Sequence, residues 1–201
     1  MKKYIAELLG AFLLTLVVIL SLAGQFPVST PILAGLTLGL FVYTAGGISG
    51  AHINPAVTIG IWSLGKITPP EAAKYIVAQF AGALLALWVG SLFTGATASL
   101  NFMGGSNTMI VGAAEFLGTI IFTFGIAAVV LGKIPTDITG VVIGGSLLLG
   151  LSLAAIKSNA VLNPAVALGI GSFSWMYLLA PIAGSLVGMN LYKWLVGQRS
   201  L

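Results

Sequence analysis

Six long apolar stretches, about 4–24, 31–49, 70–95, 110–132, 138–156 and 174–197, run through this chain. Each is close to the roughly 20 residues that a helix needs to cross a bilayer core. The sequence turns polar or rigid between them. The breaks fall at Gln25-Phe26-Pro27, at Lys66 with Pro69-Pro70, across Thr97–Asn107, at Lys133-Ile134-Pro135 and at Lys157-Ser158-Asn159. Thr68 before Pro69-Pro70-Glu71 is a well-formed helix start. Two further apolar pieces, 54–64 and 163–172, are too short to span, and both open on Asn-Pro-Ala-Val. Asn is a favoured N-cap and Pro a favoured first helical residue, so each piece predicts a half-helix that starts inside the membrane. The two would dip in from opposite sides and direct their positive N-terminal ends at one place.

Composition changes the picture only by narrowing it. The chain is 58% hydrophobic and 6% charged, against the roughly one quarter charged of a soluble domain, so no soluble domain of any size is present. A mean hydropathy of +1.11 agrees. The net charge of +4 is eight basic residues against four acidic ones, and the basic residues form no patch, which argues against a nucleic-acid partner. Lys2, Lys3, Lys66, Lys74, Lys133, Lys193 and Arg199 fall on one side of a six-span arrangement and Lys157 alone on the other. The positive-inside rule then puts both termini in the cytoplasm. There is no cysteine, one histidine and four acids, so thiol chemistry is excluded and little remains for a metal, a cofactor or a catalytic centre. Lys2-Lys3 and the apolar run after them have the look of a signal peptide, but the matching segment later in the chain is an internal span, so the first is expected to be retained.

That match is part of an internal repeat. Ala6-Glu7-Leu8-Leu9-Gly10 returns as Ala114-Glu115-Phe116-Leu117-Gly118, Thr15 as Thr123, and Gly60-Ile61 as Gly169-Ile170. Tyr75 with Gly82 returns as Tyr177 with Gly184. Each half, about 1–100 and 108–201, holds three spans and a half-helix within a single transmembrane domain. Three is odd, so the second half enters the membrane inverted. Inverted repeats place a binding site or pore at their interface near the midplane. The other glycines of the spans read as close-packing residues.

The motifs Ala6-Glu7…Gly10, Ser49-Gly50-Ala51-His52-Ile53-Asn54-Pro55-Ala56-Val57-Thr58, Ala78-Gln79, Ala114-Glu115…Gly118-Thr119 and Asn163-Pro164-Ala165 resemble those of the aquaporin, or major intrinsic protein, family over essentially the whole chain. The resemblance implies an all-α membrane fold of six transmembrane helices and two half-helices in two inverted repeats. It also implies a passive channel for small uncharged solutes, water and larger neutral molecules among them, assembled as a homotetramer in the lipid bilayer, with no cofactor. Short loops favour a prokaryotic inner membrane. Asn54-Pro55-Ala56 and Asn163-Pro164-Ala165 would meet at the pore centre, each amide capping its helix with the carbonyl and donating to a solute with the NH₂. Glu7 and Glu115, costly in an apolar helix without partners, would accept hydrogen bonds from a re-entrant loop. His52, just ahead of the first half-helix, has two open readings: a pore-lining group, with pH gating as one form, or a ring that ties the loop in place.

One departure matters. Most family members carry Arg three residues after the second motif's Asn, and here that residue is Val166. Counting from the motifs puts the other filter positions at Ala34, Leu151 and Ala160. The inferred filter has no charge and no donor side chain, so it should pass neutral solutes larger than water: polyols such as glycerol, urea-like molecules, or metalloid hydroxides. The Asp of glycerol-type members is absent from Val166-Ala167-Leu168-Gly169. Lys157, six residues before Asn163, is a candidate substitute for the Arg, against the plainer reading of a snorkelling lysine. The rival function is a proton-coupled secondary transporter, which would need Glu7 or Glu115 on the solute path.

Overall fold

The computed structural model describes residues 1–197, and Arg199 lies outside the described residues. Its long helices are α1 (Lys2–Leu22), α2 (Thr30–Ser49), α4 (Pro69–Thr94), α5 (Met109–Val130), α6 (Thr139–Ala154) and α8 (Trp175–Val196). The half-helices are α3 (Pro55–Ser63) and α7 (Pro164–Gly169). Among the described residues five helices are long and apolar enough to cross a membrane, the 3-10 turn Thr136–Ile138 counting with α6. The sixth, α8, has 22 residues but carries Pro181, Asn190 and Lys193, which lower its hydropathy without shortening it.

Several predicted ends overrun, the first span stopping at Leu22 and the fourth at Val130, and two of the corrections have a clear local cause. The second half-helix ends at Gly169, not 172, because Gly171 takes a left-handed φ of 72° and the N–H of Ser172 turns back to the Ala167 carbonyl at 2.9 Å. The fifth span stops at Ala154, not 156, and continues as a tight turn in which the Lys157 N–H donates to the Ala154 carbonyl at 3.1 Å.

Helix α1 lies along α4, and α5 along α8, one such pair in each half of the chain. Helices α2 and α6 meet across the join between the halves. Small residues make these approaches possible, since close van der Waals fit, not hydrophobicity, holds membrane helices together. A Cβ at Gly82 would overlap the Leu8 carbonyl, and one at Gly184 would overlap the Phe116 carbonyl, at equivalent points of the two pairs. Gly35 and Gly144 do the same for α2 and α6. Large apolar side chains such as Leu36, Phe93 and Trp194 stand exposed on the outside of the bundle, as lipid contact requires.

Chain direction places the start of α1, the ends of α2 and α3 and the start of α4 at one face. The Lys3–Glu71 ion pair at 2.6 Å joins two of them. With Lys66, Lys133 and Lys193 this is the lysine-rich face. Helix α7 runs from the centre toward the opposite face, where Lys157 lies.

Candidate functional site

Each half-helix begins with the same local chemistry. The Asn54 Oδ1 accepts from the N–H groups of Ala56 at 2.8 Å and Val57 at 3.4 Å. The Asn163 Oδ1 accepts from those of Ala165 at 3.0 Å and Val166 at 3.3 Å. Pro55 and Pro164 stand at the first helical position, where no donor is needed. The amide nitrogens reach across the join: Asn54 Nδ2 donates to the Leu162 carbonyl at 2.9 Å, and Asn163 Nδ2 to the Ile53 carbonyl at 3.1 Å. An amide NH₂ has two protons. One N–H of each asparagine is therefore left, and both side chains line the same cavity.

The loops that deliver these starts are strained in the same way. Ala51 and Ile53 have φ of 51° and 40°, and Ala160 and Leu162, each 109 residues further on, have φ of 51° and 53°. Left-handed backbone costs roughly 1–2 kcal/mol per non-glycine residue, and for β-branched Ile53 it is a marked outlier. A buried carboxylate holds each loop. Glu7 accepts four hydrogen bonds, from Ser49 Oγ at 2.6 Å, the His52 N–H at 3.0 Å, the Ile53 N–H at 2.6 Å and Gln79 Nε2 at 2.7 Å. Glu115 accepts three, from Ser158 Oγ at 2.6 Å, the Val161 N–H at 3.0 Å and the Leu162 N–H at 2.7 Å. Neither acid has any exposure to solvent, and neither lines either of the two cavities along the path. Pro181 holds the position equivalent to Gln79, so the second network lacks a fourth donor. The paired tyrosines close each loop: Tyr75 Oη donates to the Ser49 carbonyl, and Tyr177 Oη accepts from the Asn159 N–H, both at 2.8 Å.

His52 is fixed and also faces the path. Its ring stacks edge-on to Tyr75 with centroids 5.1 Å apart. Its Nδ1 lies 3.3 Å from Thr58 Oγ1. The Thr58 hydroxyl donates its single proton to the Asn54 carbonyl at 3.0 Å and accepts from Gln79 Nε2 at 2.9 Å. With the Thr58 proton assigned to the Asn54 carbonyl, the matching His52 tautomer carries its proton on Nδ1. The two readings of His52 thus coexist, as loop anchor and cavity wall.

The cavity at the asparagines has a volume of only about 20 Å³, close to the room one water needs, and is lined by all four inferred filter residues, Ala34, Leu151, Ala160 and Val166, together with His52, Asn54 and Asn163. A second, roomier cavity of about 270 Å³ adjoins it on the side of the lysine-rich face. Two helical stripes form the apolar wall: Thr30, Ala34, Leu38 and Val42 on α2, and Thr139, Ile143, Leu147 and Leu151 on α6. Both run at intervals of four residues, the spacing of one helix face. Sequence reasoning found only Ala34 and Leu151 of these stripes. The i, i+4 spacing was the available signal, hidden because the neighbouring residues are equally apolar. Ser49, Ser158, Thr58 and Gln79 also went unassigned. Lys157 is exposed and lines neither cavity.

Two half-helices meeting end to end inside a bundle of spanning helices, with two adjoining cavities at their junction, define a multi-pass membrane channel. The family model described as "Major intrinsic protein" matches residues 1–192, and the chain belongs to that family. It is 31% identical over 218 residues to aquaporin NIP1-1 of Arabidopsis thaliana, covering 96% of this chain and 73% of that one. It is 32% identical over 207 residues to glycerol uptake facilitator protein-like 6 of Lactiplantibacillus plantarum, covering 93% and 94%. Its fold matches the X-ray structure of the aquaglyceroporin from Plasmodium falciparum with a TM-score of 0.67 at 23% identity, covering 95% of this chain and 94% of that one.

Proposed function

We propose that this protein is a passive channel for small uncharged solutes: water, and larger neutral molecules such as glycerol, urea or metalloid hydroxides. The observation that carries the reading is the cavity in which Ala34, Leu151, Ala160 and Val166 face the spare amide protons of Asn54 and Asn163. A solute passing there exchanges hydration for two side-chain donors and loop carbonyls, with no charged group among the lining residues. An unmet polar group costs roughly 1–3 kcal/mol, so neutral molecules with few polar groups fare best. The amide donors and the half-helix starts set a positive potential at the centre, which opposes cations and breaks a proton-conducting water file. Val166 removes the second positive barrier that an Arg would supply, so the outer filter sorts by size and hydration and not by charge.

Relatives that include a glycerol uptake facilitator-like protein and an aquaporin support a solute range wider than water. Major intrinsic proteins are a channel family, and transport through such a path needs no bond to form or break. The domain is single, with repeats at about 1–100 and 108–201, and the assembly a homotetramer with one pore per protomer. Both termini are cytoplasmic, by the lysine distribution, and a prokaryotic inner membrane suits the short loops. Coupled transport by Glu7 or Glu115 is disfavoured by their complete burial behind the loops. Proteoliposomes loaded with the protein test the reading. Glycerol and urea influx should exceed that of empty vesicles and follow the solute gradient alone. Influx that instead follows an imposed pH gradient would move the protein to the transporter class.

A further inference from the structure

Among the described residues, four of the side chains that line the cavity at the asparagines are polar: Thr30, His52, Asn54 and Asn163. The two asparagines stand at the centre, and His52 also lines the cavity on the lysine-rich side. Thr30 is the first residue of α2. It lies one turn, about 6 Å, before Ala34 and so further toward the Lys157 face. The filter residues Ala34, Leu151, Ala160 and Val166 bring no side-chain donor to that end of the cavity, and Thr30 does. We propose that Thr30, backed by Ser21, is the outer hydrogen-bonding contact of the path. It favours polyols and urea-like solutes, whose hydroxyl and amide groups both give and take hydrogen bonds. The proposal rests on the channel reading above and adds a residue that sets the channel's preference among neutral solutes.

The hydrogen-bond arithmetic leaves a proton for the solute. Thr30 Oγ1 lies 2.9 Å from Ser21 Oγ, and either can be the donor. Two hydroxyls carry two protons, and the bond between them uses one. Other hydroxyls of the spanning helices, Thr37, Thr119, Thr123, Ser146 and Ser152, give their proton to the carbonyl one turn back. Thr30 has no helical turn before it, and Ser21 bonds across to Thr30. The pair also sits where the wall needs it. Ser21 follows Leu14 and Val18 on α1 at helical spacing, and Thr30 precedes Ala34 and Leu38 on α2, so two lining stripes end in these hydroxyls. When Ser21 donates to Thr30, the Thr30 proton is free to meet a solute. When Thr30 donates to Ser21, its lone pairs are free to accept, which an Arg side chain cannot do. A cavity of about 20 Å³ presses any solute against its walls. A water molecule that loses Thr30 can turn to the waters before and behind it. A glycerol hydroxyl at the same place has carbon beside it and finds no replacement.

The test measures glycerol, urea and water permeability by stopped-flow light scattering of proteoliposomes. The proteins are wild type, Thr30→Val, which keeps the shape and loses the hydroxyl, and Thr30→Ser, which keeps the hydroxyl. Each is reconstituted only after eluting as a monodisperse species. Thr30→Val should lower the glycerol-to-water and urea-to-water ratios by about twofold to tenfold, the worth of one neutral hydrogen bond. Thr30→Ser should hold both ratios within about twofold of wild type. If Thr30→Val leaves the ratios where the wild type has them, or Thr30→Ser lowers them as far, the hydroxyl is not the contact. The proposal is then overturned and the channel reading stands. A wild type that passes water but neither glycerol nor urea also overturns it, since such a path favours neither solute class. If the wild type passes nothing above empty vesicles, both readings fall together. Should Thr30→Val not yield folded protein, Thr30→Ala against Thr30→Ser, which differ by the hydroxyl alone, carry the same decision.

Discussion

Replacing Glu115 by Gln removes a charge with almost no change of shape, and it should loosen the second re-entrant loop without closing the channel. Glu115 accepts from Ser158 Oγ, the Val161 N–H and the Leu162 N–H. Glutamine keeps one carbonyl oxygen, which can still take the Leu162 N–H. Its NH₂ group then faces the Val161 N–H and Ser158. The Ser158 hydroxyl has an alternative, because the Ala154 carbonyl lies 3.0 Å away. The Val161 N–H has none, and an unpartnered buried donor costs about 1–3 kcal/mol. The surviving bond to Leu162 also loses its charged acceptor, which about halves its strength. The total is about 2–4 kcal/mol, spent on the loop that must hold Leu162 at a φ of 53°. For a chain of this size each kcal/mol lowers a thermal midpoint by about 2–4 °C, so a fall of roughly 4–16 °C is expected. The assay is the thermal midpoint of the purified protein in detergent, paired with glycerol flux in proteoliposomes at pH 6 and pH 8. A lower midpoint with flux retained at both pH values is the expected pair. An unchanged midpoint with flux abolished would refute the reasoning, because Glu115 would then be a group that transports a proton and not one that holds a loop.

Other substitutions probe the filter, the pore centre and the helix packing. Val166→Arg should cut glycerol flux by about tenfold or more while water flux falls less, checked in the same light-scattering assay, because a long cation enters a cavity already lined by Ala34, Leu151 and Ala160. Asn163→Ala removes the cap of α7, costing about 1 kcal/mol of stability, and a spare donor at the centre; proton or cation leak measured with a pH-sensitive dye in proteoliposomes should rise above wild type. Gly184→Val should give no monodisperse species on size exclusion, since even a Cβ there would lie 2.9 Å from that of Thr119 and overlap the Phe116 carbonyl.

The parts of this fold that were legible in the sequence are the ones that break an apolar background. Proline, asparagine and glutamate are conspicuous in such sequence, so the half-helix starts, the two buried acids and the repeat could be read directly. The inward-facing stripes could not, because α2, α5 and α6 are apolar on the lipid side and on the path side alike. Residues such as Leu38, Leu147 and Phe122 become distinct only when the helices are placed around a common axis. The loop network was half visible: Glu7 and Glu115 implied partners, but Ser49, Gln79 and Thr58 are ordinary polar residues until the fold brings them together. The second half-helix ends three residues before its predicted bound because its end depends on a left-handed Gly171 and not on any polar residue. Sequence distance alone makes Lys157 a candidate for the filter, and its exposed side chain lines neither cavity.

The most direct test of the central claim is glycerol permeability of wild-type proteoliposomes against empty vesicles by stopped-flow light scattering, with water permeability recorded on the same samples. A filter of Ala34, Leu151, Ala160 and Val166 predicts fast glycerol entry with no dependence on a pH gradient. Fast water exchange with glycerol excluded would contradict it, and would mean that other groups of this chain make the passage as narrow as an Arg would.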